Sequence, residues 1–312
     1  MIKTNLPPEF EARLSEILPE RSPSLFHTKP FQCFRINTLK VSIEKAHELL
    51  AKRNIPFEKI SFCPYAIFVE RARGQEILSS ELASEGFLYA QGLESMLPVL
   101  VLDPKPNERV LDLCAAPGSK TSQIAMHMNN QGILKANEFV RERLYRLKSV
   151  LQLTGAKAQI SSVDGRRLGK TSKEVYDRIL VDAPCSSEGR FNIMEPKSFA
   201  YWSLRKIKEM AHKQKGLLLN ASRMLVPGGT LVYSTCTFAP EENEEVIDWF
   251  LKKTDGSFEL APISIEGVKA YPCLTRWQKH DFNPQMPRAL RVLPDERMEG
   301  FFIAKFTNSH YK

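Results

Sequence analysis

Beyond Arg109 the chain keeps a regular rhythm of short apolar runs and longer helical patterns. VLDLCAAP is followed by KTSQIAMHM, and GILKANE by VRERLYRLKSVLQLTG. AQISSVDG, RILVDAPC and GGTLVYSTC are further strand-like runs; a helical stretch from about Tyr201 to Leu225 precedes the last, and EENEEVIDWFLKK follows it. Strands alternating with helices predict a mostly parallel sheet with helices on both faces. RALRVLP and EGFFIAKF read as two more strands, too close together for a helical crossover and so expected to pair antiparallel at the sheet edge. Ahead of Arg109 the pattern differs. FRINTLK and AIFVER read as strands, and VSIEKAHELLAKRN as a helix with apolar Ile43, Ala46, Leu49 and Leu50. GFLYAQGLESMLPVLVL reads as a helix leading onward to a DPKPNE turn. The expectation is a small α/β unit over residues 1–90 and a large α/β unit over residues 91–312.

The 312 residues are 43% hydrophobic and 26% charged, which suits an ordinary globular protein with a sizeable core. Lys and Arg outnumber Asp and Glu by 44 to 36, giving net +8 and an isoelectric point near 9.1. That balance favours anionic partners, nucleic acid first. Cysteines stand at 33, 63, 114, 185, 236 and 273, with no CxxC pair and no histidine cluster at metal-ligand spacing, so no metal is expected. MIKTNLPPEFEARL carries no leader-like apolar core and no run reaches membrane-spanning length, so the reading is a reduced, cytoplasmic protein with free thiols.

In an open α/β sheet ligands bind beyond the carboxyl ends of the strands, and the distinctive polar pieces fall there. DLCAAPGSKT joins the first strand of the large unit to its first helix. Its small residues allow close backbone approach, the helix start offers N–H groups and a positive dipole end, and Lys120 adds charge; the plain alternative is a tight strand-to-helix turn. Glu138 ends the second strand, where an acid binds ribose hydroxyls or simply favours a helix start. Asp164 ends the third, fit for an adenine amino group or an Asp-Gly turn. With Asp182 they make three acids at successive strand ends, which points to a nucleoside cofactor. Cys33, Cys63 and Cys273 read as inert structural thiols, whereas Cys185 in DAPCSSEGR and Cys236 in STCTFAPEENEE sit at strand ends that would share one cleft. The acids of PEENEE read as a helix cap. No histidine lies near either thiol in sequence, which disfavours a Cys/His hydrolase. Thiolate attack on C6 of cytosine needs less: an acid at N3, for which Asp182 is placed, and C5 then becomes nucleophilic enough to take a methyl group.

VLDLCAAPGSKT, DAPCSSEGR and YSTCTFAPEENE, in this order, resemble the signature motifs of the Sun/Nop-type RNA cytosine-5 methyltransferases, and FRINTLK, YAQGLESMLP and RALRVLPDERMEGFFIAKF extend the likeness over roughly residues 30–306. The resemblance implies a class I, Rossmann-like methyltransferase fold using S-adenosylmethionine, with a small N-terminal RNA-recognition-like α+β domain. It implies that Cys114, Ala115, Ala116, Pro117, Gly118, Ser119 and Lys120 line the methionine and ribose side of the cofactor. Glu138 would take the ribose hydroxyls, Asp164 the adenine edge, and Asp182 would stand between cofactor and cytosine. It makes Cys236 the nucleophile and Cys185 the thiol that assists proton removal and release. Two departures stand out: the family's glycine pair reads Gly118-Ser119, and its Pro-His before the closing strand reads Pro294-Asp295. The expected partner is rRNA or tRNA, bound by a monomer at a loop, bulge or opened helix where the base can leave its stack. Arg205, Lys206, Lys208, Lys213, Lys215 and Arg223, against Glu209 alone, form a candidate phosphate-contacting face, with Arg35 and Asn37 as further candidates. The rivals are a DNA cytosine-5 methyltransferase, disfavoured by the later Cys motif, and a non-catalytic RNA-binding factor, disfavoured by the retained thiols.

Overall fold

A computed structural model describes residues 6–18, 26–27 and 29–309; the leader reading of the first residues falls partly outside them. The first helix, α1 (Pro8–Ile17), starts on a proline and presents Phe10, Leu14 and Ile17 as one buried stripe. Strands β1 (Phe31–Ile36), β2 (Glu58–Lys59), β3 (Ala66–Glu70) and β4 (Leu88–Ala90) form an antiparallel sheet in the order β2-β3-β1-β4. Between β1 and β2 runs α2 (Ile43–Lys52), capped by Ser42, whose hydroxyl accepts from Lys45 N. Its Ala46 and Leu50 pack with Phe34, Ile36 and Ile67 of the sheet. Helices α3 (Arg71–Leu78) and α4 (Glu81–Ser84) lead from β3 to β4.

The stretch GFLYAQGLESMLPVLVL is not one helix. Leu88–Ala90 pairs with β1 as β4, and the helix α5 is confined to Leu93–Leu102. The open edge of β1 offers hydrogen-bond partners that local propensity cannot register, and Gly92 makes the break. Buried almost all round, α5 packs across the middle of the large sheet.

The large sheet is built as the alternation predicts. β5 (Arg109–Asp112), α6 (Ser119–His127), β6 (Ile133–Asn137), α7 (Arg141–Thr154), β7 (Gln159–Ser161), the short α8 (Leu168–Thr171), β8 (Tyr176–Asp182), α9 (Leu204–Ser222), β9 (Leu225–Thr235) and α10 (Glu244–Thr254) follow in sequence. β10 (Phe258–Ala261), β11 (Ala270–Tyr271), β12 (Arg276–Trp277), β13 (His280–Asp281), β14 (Leu290–Val292) and β15 (Phe301–Asn308) complete the chain. The order is β11-β14-β15-β9-β8-β5-β6-β7, with β5 to β9 mutually parallel and β10 on the far half of β15. The strand order reverses beside β5, which has β6 on one side and β8 on the other, and that is where a doubly wound sheet opens a binding crevice. β14 and β15 pair antiparallel, Leu290 opposite Ile303, as expected. β15 itself lies inside the sheet against β9, and the edge is made by β11, β14 and β10.

Helix α1 does not pack on the small sheet. Phe10, Leu14 and Ile17 pack with Phe26, Phe191 and Trp202 in the core of the large sheet, and Arg13 pairs with Glu241 at 2.6 Å. An apolar helical stripe needs an apolar partner, and it finds one on the large sheet, while α2 and the four strands close a core of their own.

Candidate active site

β5 ends at Asp112, and the chain turns into α6 through Cys114, Ala115, Ala116, Pro117 and Gly118, with a cis peptide before Pro117. Gly118 caps α6 at φ 112°, a left-handed conformation that excludes other side chains; a Cβ there would stand 3.1 Å from Val150. The turn is braced from several sides. Thr121 Oγ1 donates to Asp112 Oδ2 at 2.6 Å, and Arg143 Nη2, from α7, donates to Ala116 O at 2.5 Å. Asn137, at the end of β6, donates to Leu113 O and Val163 O and accepts from Ser161 Oγ, tying three strand ends together.

Two cavities open at these strand ends. The first, about 350 Å³, is walled by Leu113, Cys114, Glu138, Phe139, Val140 and Asp164 among others. The second, about 530 Å³, is walled by Lys120, Asp182, Cys185, Ser187, Arg190 and Cys236 among others. Arg143 and Pro184 belong to both walls, so the cavities adjoin.

In the first cavity the buried Glu138 accepts from Val140 N at 2.8 Å and faces Arg143 at 3.5 Å. Asp164 turns back on its own loop: Arg166 N and the Arg166 guanidinium both bind it, at 2.6 Å for Nη2, and hold its carboxyl below the usual range. Burial pushes the Cys114 thiol up. Of the loop residues named from the motif, Cys114 lines the first cavity and Ala116, Pro117, Ser119 and Lys120 line the second. Ala115 and Gly118 line neither: Ala115 packs with Ala136, Leu147 and Leu151, and Gly118 turns the chain. Small size here serves packing as well as access.

In the second cavity β8 and β9 lie side by side, Asp182 opposite Ser234, so the peptides that follow them bring Cys185 and Cys236 together. Their sulfurs are 3.3 Å apart and both thiols are free. The hydrogen bond from Cys185 holds Cys236 below the ordinary thiol range against its burial, with help from the Arg190 guanidinium. The same hydrogen bond, then burial, pushes Cys185 well up. The pair is thus asymmetric, with one sulfur disposed to be a thiolate and the other to keep its proton. Asp182 accepts from Ser234 Oγ at 2.8 Å and from Lys120 Nζ at 2.8 Å, and Lys120 also donates to Ser95 Oγ.

The acids of PEENEE do not cap α10, which has no side-chain cap. Glu242 is buried behind the Cys185 loop, where it accepts from Ser186 N at 3.0 Å and Gln214 Nε2 at 2.8 Å, and burial pushes its carboxyl up to about 8. Glu244 makes a buried two-point pair with Arg291 of β14, and Glu241 is the partner of Arg13. The chain turns inward over residues 240–243, so these acids latch other segments. Nothing in the local sequence signals this, because the charges look solvent-bound until the turn is seen.

Arg35 and Asn37 are not surface contacts for RNA. Both are fully buried. β1 lies between β3 and β4, and its Arg35 reaches α6, donating to Ser119 O at 2.8 Å and Ser122 Oγ at 2.6 Å. Asn37 donates to Gly86 O and Thr154 O. On α9, Ile207, Met210, Gln214 and Leu217 face inward; Lys206 and Lys213 share Glu209, which spends part of the basic row within the helix.

The model of the 16S rRNA methyltransferase RsmB/F family matches residues 99–307. The chain is 37% identical to the tRNA (cytosine(49)-C(5))-methyltransferase of Pyrococcus abyssi over 276 residues, 87% of this chain and 86% of that one. It is also 37% identical to the ribosomal RNA small subunit methyltransferase F of Escherichia coli over 277 residues, 87% of this chain but only 56% of the longer relative. A solved methyltransferase homolog protein from Pyrococcus horikoshii superposes with a TM-score of 0.84 at 32% identity, covering 97% of this chain and 96% of that one. NSun6 from Pyrococcus horikoshii shares the fold, with a TM-score of 0.82 at 21% identity over 97% and 98% of the two chains. The architecture is that of a class I S-adenosylmethionine-dependent methyltransferase, and the chain belongs to the RsmB/F family of RNA cytosine-5 methyltransferases.

Proposed function

We propose that this chain methylates C5 of a cytosine in rRNA or tRNA, with Cys236 as nucleophile and Cys185 as the thiol that completes turnover. The observation that carries the reading is the 3.3 Å pair of free, unequally disposed thiols in one cavity with Asp182, adjoining a second cavity with nucleoside-binding chemistry. The first cavity fits the cofactor: Glu138 offers carboxylate oxygens at a strand end, Asp164 lines the same cavity, and Leu113, Phe139, Val140 and Leu217 make an apolar wall for a base. Cys114 and the Ala116–Pro117 backbone would hold the remainder where the cavities meet. S-adenosylmethionine, when bound there, supplies an electrophilic methyl group.

Cys236 Sγ adds to C6 of the cytosine, and the electron pair of the C5–C6 bond moves toward C5 and N3. Asp182 holds a proton at N3, and Lys120 with Ser234 fixes the position of its carboxyl. Once C5 is methylated, Cys185, a thiolate after giving up its own proton, takes the C5 proton, the double bond re-forms, the Cys236–C6 bond breaks and N3 returns its proton. The base must be turned out of its stack to enter this cavity, so an unpaired or opened site is the expected target.

The test is methyl transfer from labelled S-adenosylmethionine to rRNA, tRNA and DNA, with the proteins also run on a denaturing gel. Wild type labels RNA and not DNA. Cys236→Ala loses turnover and covalent capture together, by at least about a hundredfold. Cys185→Ala still attacks but releases poorly, and leaves a ribonuclease-sensitive slow band. Full activity in Cys236→Ala would reverse the roles of the thiols; label on no nucleic acid would favour a non-catalytic RNA-binding factor.

A further inference from the structure

Ser187 holds a left-handed backbone, φ 60° and ψ 30°, in the turn after Cys185. The other non-glycine residues with positive φ among those described are Asn or Asp, which tolerate it, and Gln278 in the turn between β12 and β13. A serine gains nothing from this conformation, and glycine would adopt it freely. Strain retained at a cleft points to what the side chain does there. The Ser187 hydroxyl accepts from Cys236 Sγ at 3.6 Å and lies 3.9 Å from Cys185 Sγ, so it is in hydrogen-bond reach of both sulfurs.

We propose that Ser187 is a positioning residue that serves as a shared hydrogen-bond donor, to Cys236 while that sulfur is a thiolate and to Cys185 when that sulfur takes up the C5 proton. The proposal rests on the roles of the two thiols given above. A hydroxyl rotates freely and can accept from a thiol or donate to a thiolate. Before attack it donates to the Cys236 thiolate beside the Cys185 S–H. When the S–C6 bond forms, Cys236 becomes an uncharged thioether and no longer competes for the donor. The hydrogen bond to the Cys236 thiolate, the largest cause that kept Cys185 protonated, is then gone and burial is left as the main opposition to ionisation; its proton can pass to water entering the open cavity, and the Ser187 hydroxyl turns to the new thiolate. That thiolate next receives the C5 proton, and the Cys236–C6 bond breaks. The charged and titratable groups around the pair are Asp182 at the end of β8, Lys120 on α6, Arg143 on α7, Tyr89 on β4, Arg190 with its partner Glu299 ahead of β15, Glu94 on α5, and Glu242 behind the Cys185 loop. Ser187 is the hydroxyl whose reach covers both sulfurs.

The full chain is compared as wild type, Ser187→Gly and Ser187→Ala. Alkylation of Cys236 and Cys185 by iodoacetamide is followed by peptide mass spectrometry from about pH 6 to about pH 10, beside methyl transfer to RNA over the same range. Ser187→Gly should melt higher than wild type, because it loses the left-handed strain. Its Cys236 alkylation midpoint should nevertheless rise by about half to one pH unit, and its turnover at neutral pH should fall about three- to tenfold, a deficit that shrinks as pH rises. Ser187→Ala should show the same shift without the gain in melting temperature. A purely structural role would be improved by glycine and would leave the pH profile in place. An unchanged Cys236 midpoint with unchanged turnover in Ser187→Gly overturns the proposal. Alkylation needs neither RNA nor methyl donor, so the two failures separate: a wild type that methylates no RNA removes the functional reading, and with it the turnover role of Ser187, whereas an active wild type with unmoved midpoints removes the Ser187 role alone.

Discussion

Burial raises several carboxyl groups, among them Asp112 and Glu94, which rise to about 7, and Glu242, which rises to about 8. Each binds a proton in the folded chain at a pH where the unfolded chain has released it. The stability this gives is complete below the unfolded carboxyl value and is lost as pH rises through the folded one. Melting temperature should therefore fall between about pH 5 and about pH 8. Glu242→Gln should flatten that fall and gain roughly 1–3 kcal/mol at the alkaline end, as read by urea unfolding at two pH values. The amide keeps one oxygen to accept from both Ser186 N and Gln214 Nε2. The chemistry of this site was half legible in the sequence. Cys185, Cys236 and Asp182 announce themselves because they end apolar runs, and a strand end in a parallel sheet is a place of known meaning. Glu242, Arg143 and Ser187 carry no such mark. Their importance depends on which way a turn faces, and that is decided by partners distant in the chain.

At the scale of elements, the alternation of apolar runs with longer helical patterns located the strands and main helices of the large sheet, even where a strand is as short as β5 or β7. It failed where pairing rather than pattern makes the strand. β4 is three residues that need the free edge of β1, and β10 is four that need the far half of β15. The turn from β5 into α6 is the most constrained element near the site. Gly118→Ala would place a Cβ against Val150 and Leu147 in a left-handed conformation, and we expect a loss of about 1–3 kcal/mol in chemical denaturation. Because this turn carries Cys114 on one side and Lys120 on the other, methyl transfer should fall further than stability alone explains.

Taken whole, the small sheet joins the large one through an apolar cluster, in which Cys33 and Phe68 pack with α5, and through buried polar contacts that a sequence reading mistakes for surface. Arg35 is the clearest case: a fully buried guanidinium on the small sheet, stacked 5.4 Å from the Tyr89 ring and bonded to the first turn of α6. Burial lowers it to about 10, so it keeps its charge at neutral pH. Arg35→Ala should cost about 2–4 kcal/mol by lost packing and orphaned acceptors, and Arg35→Lys should not restore it, since one ammonium cannot reproduce the planar fork; urea titration of both variants decides this. The helix that Arg35 grips is the one that carries Lys120 to Asp182. The small sheet is thereby held in fixed register against the thiols, as a fence is fixed to a jig. If RNA grips that sheet, the choice of nucleotide is a matter of reach along the strand, and lengthening the RNA between grip and target by one nucleotide should move the methyl mark rather than abolish it.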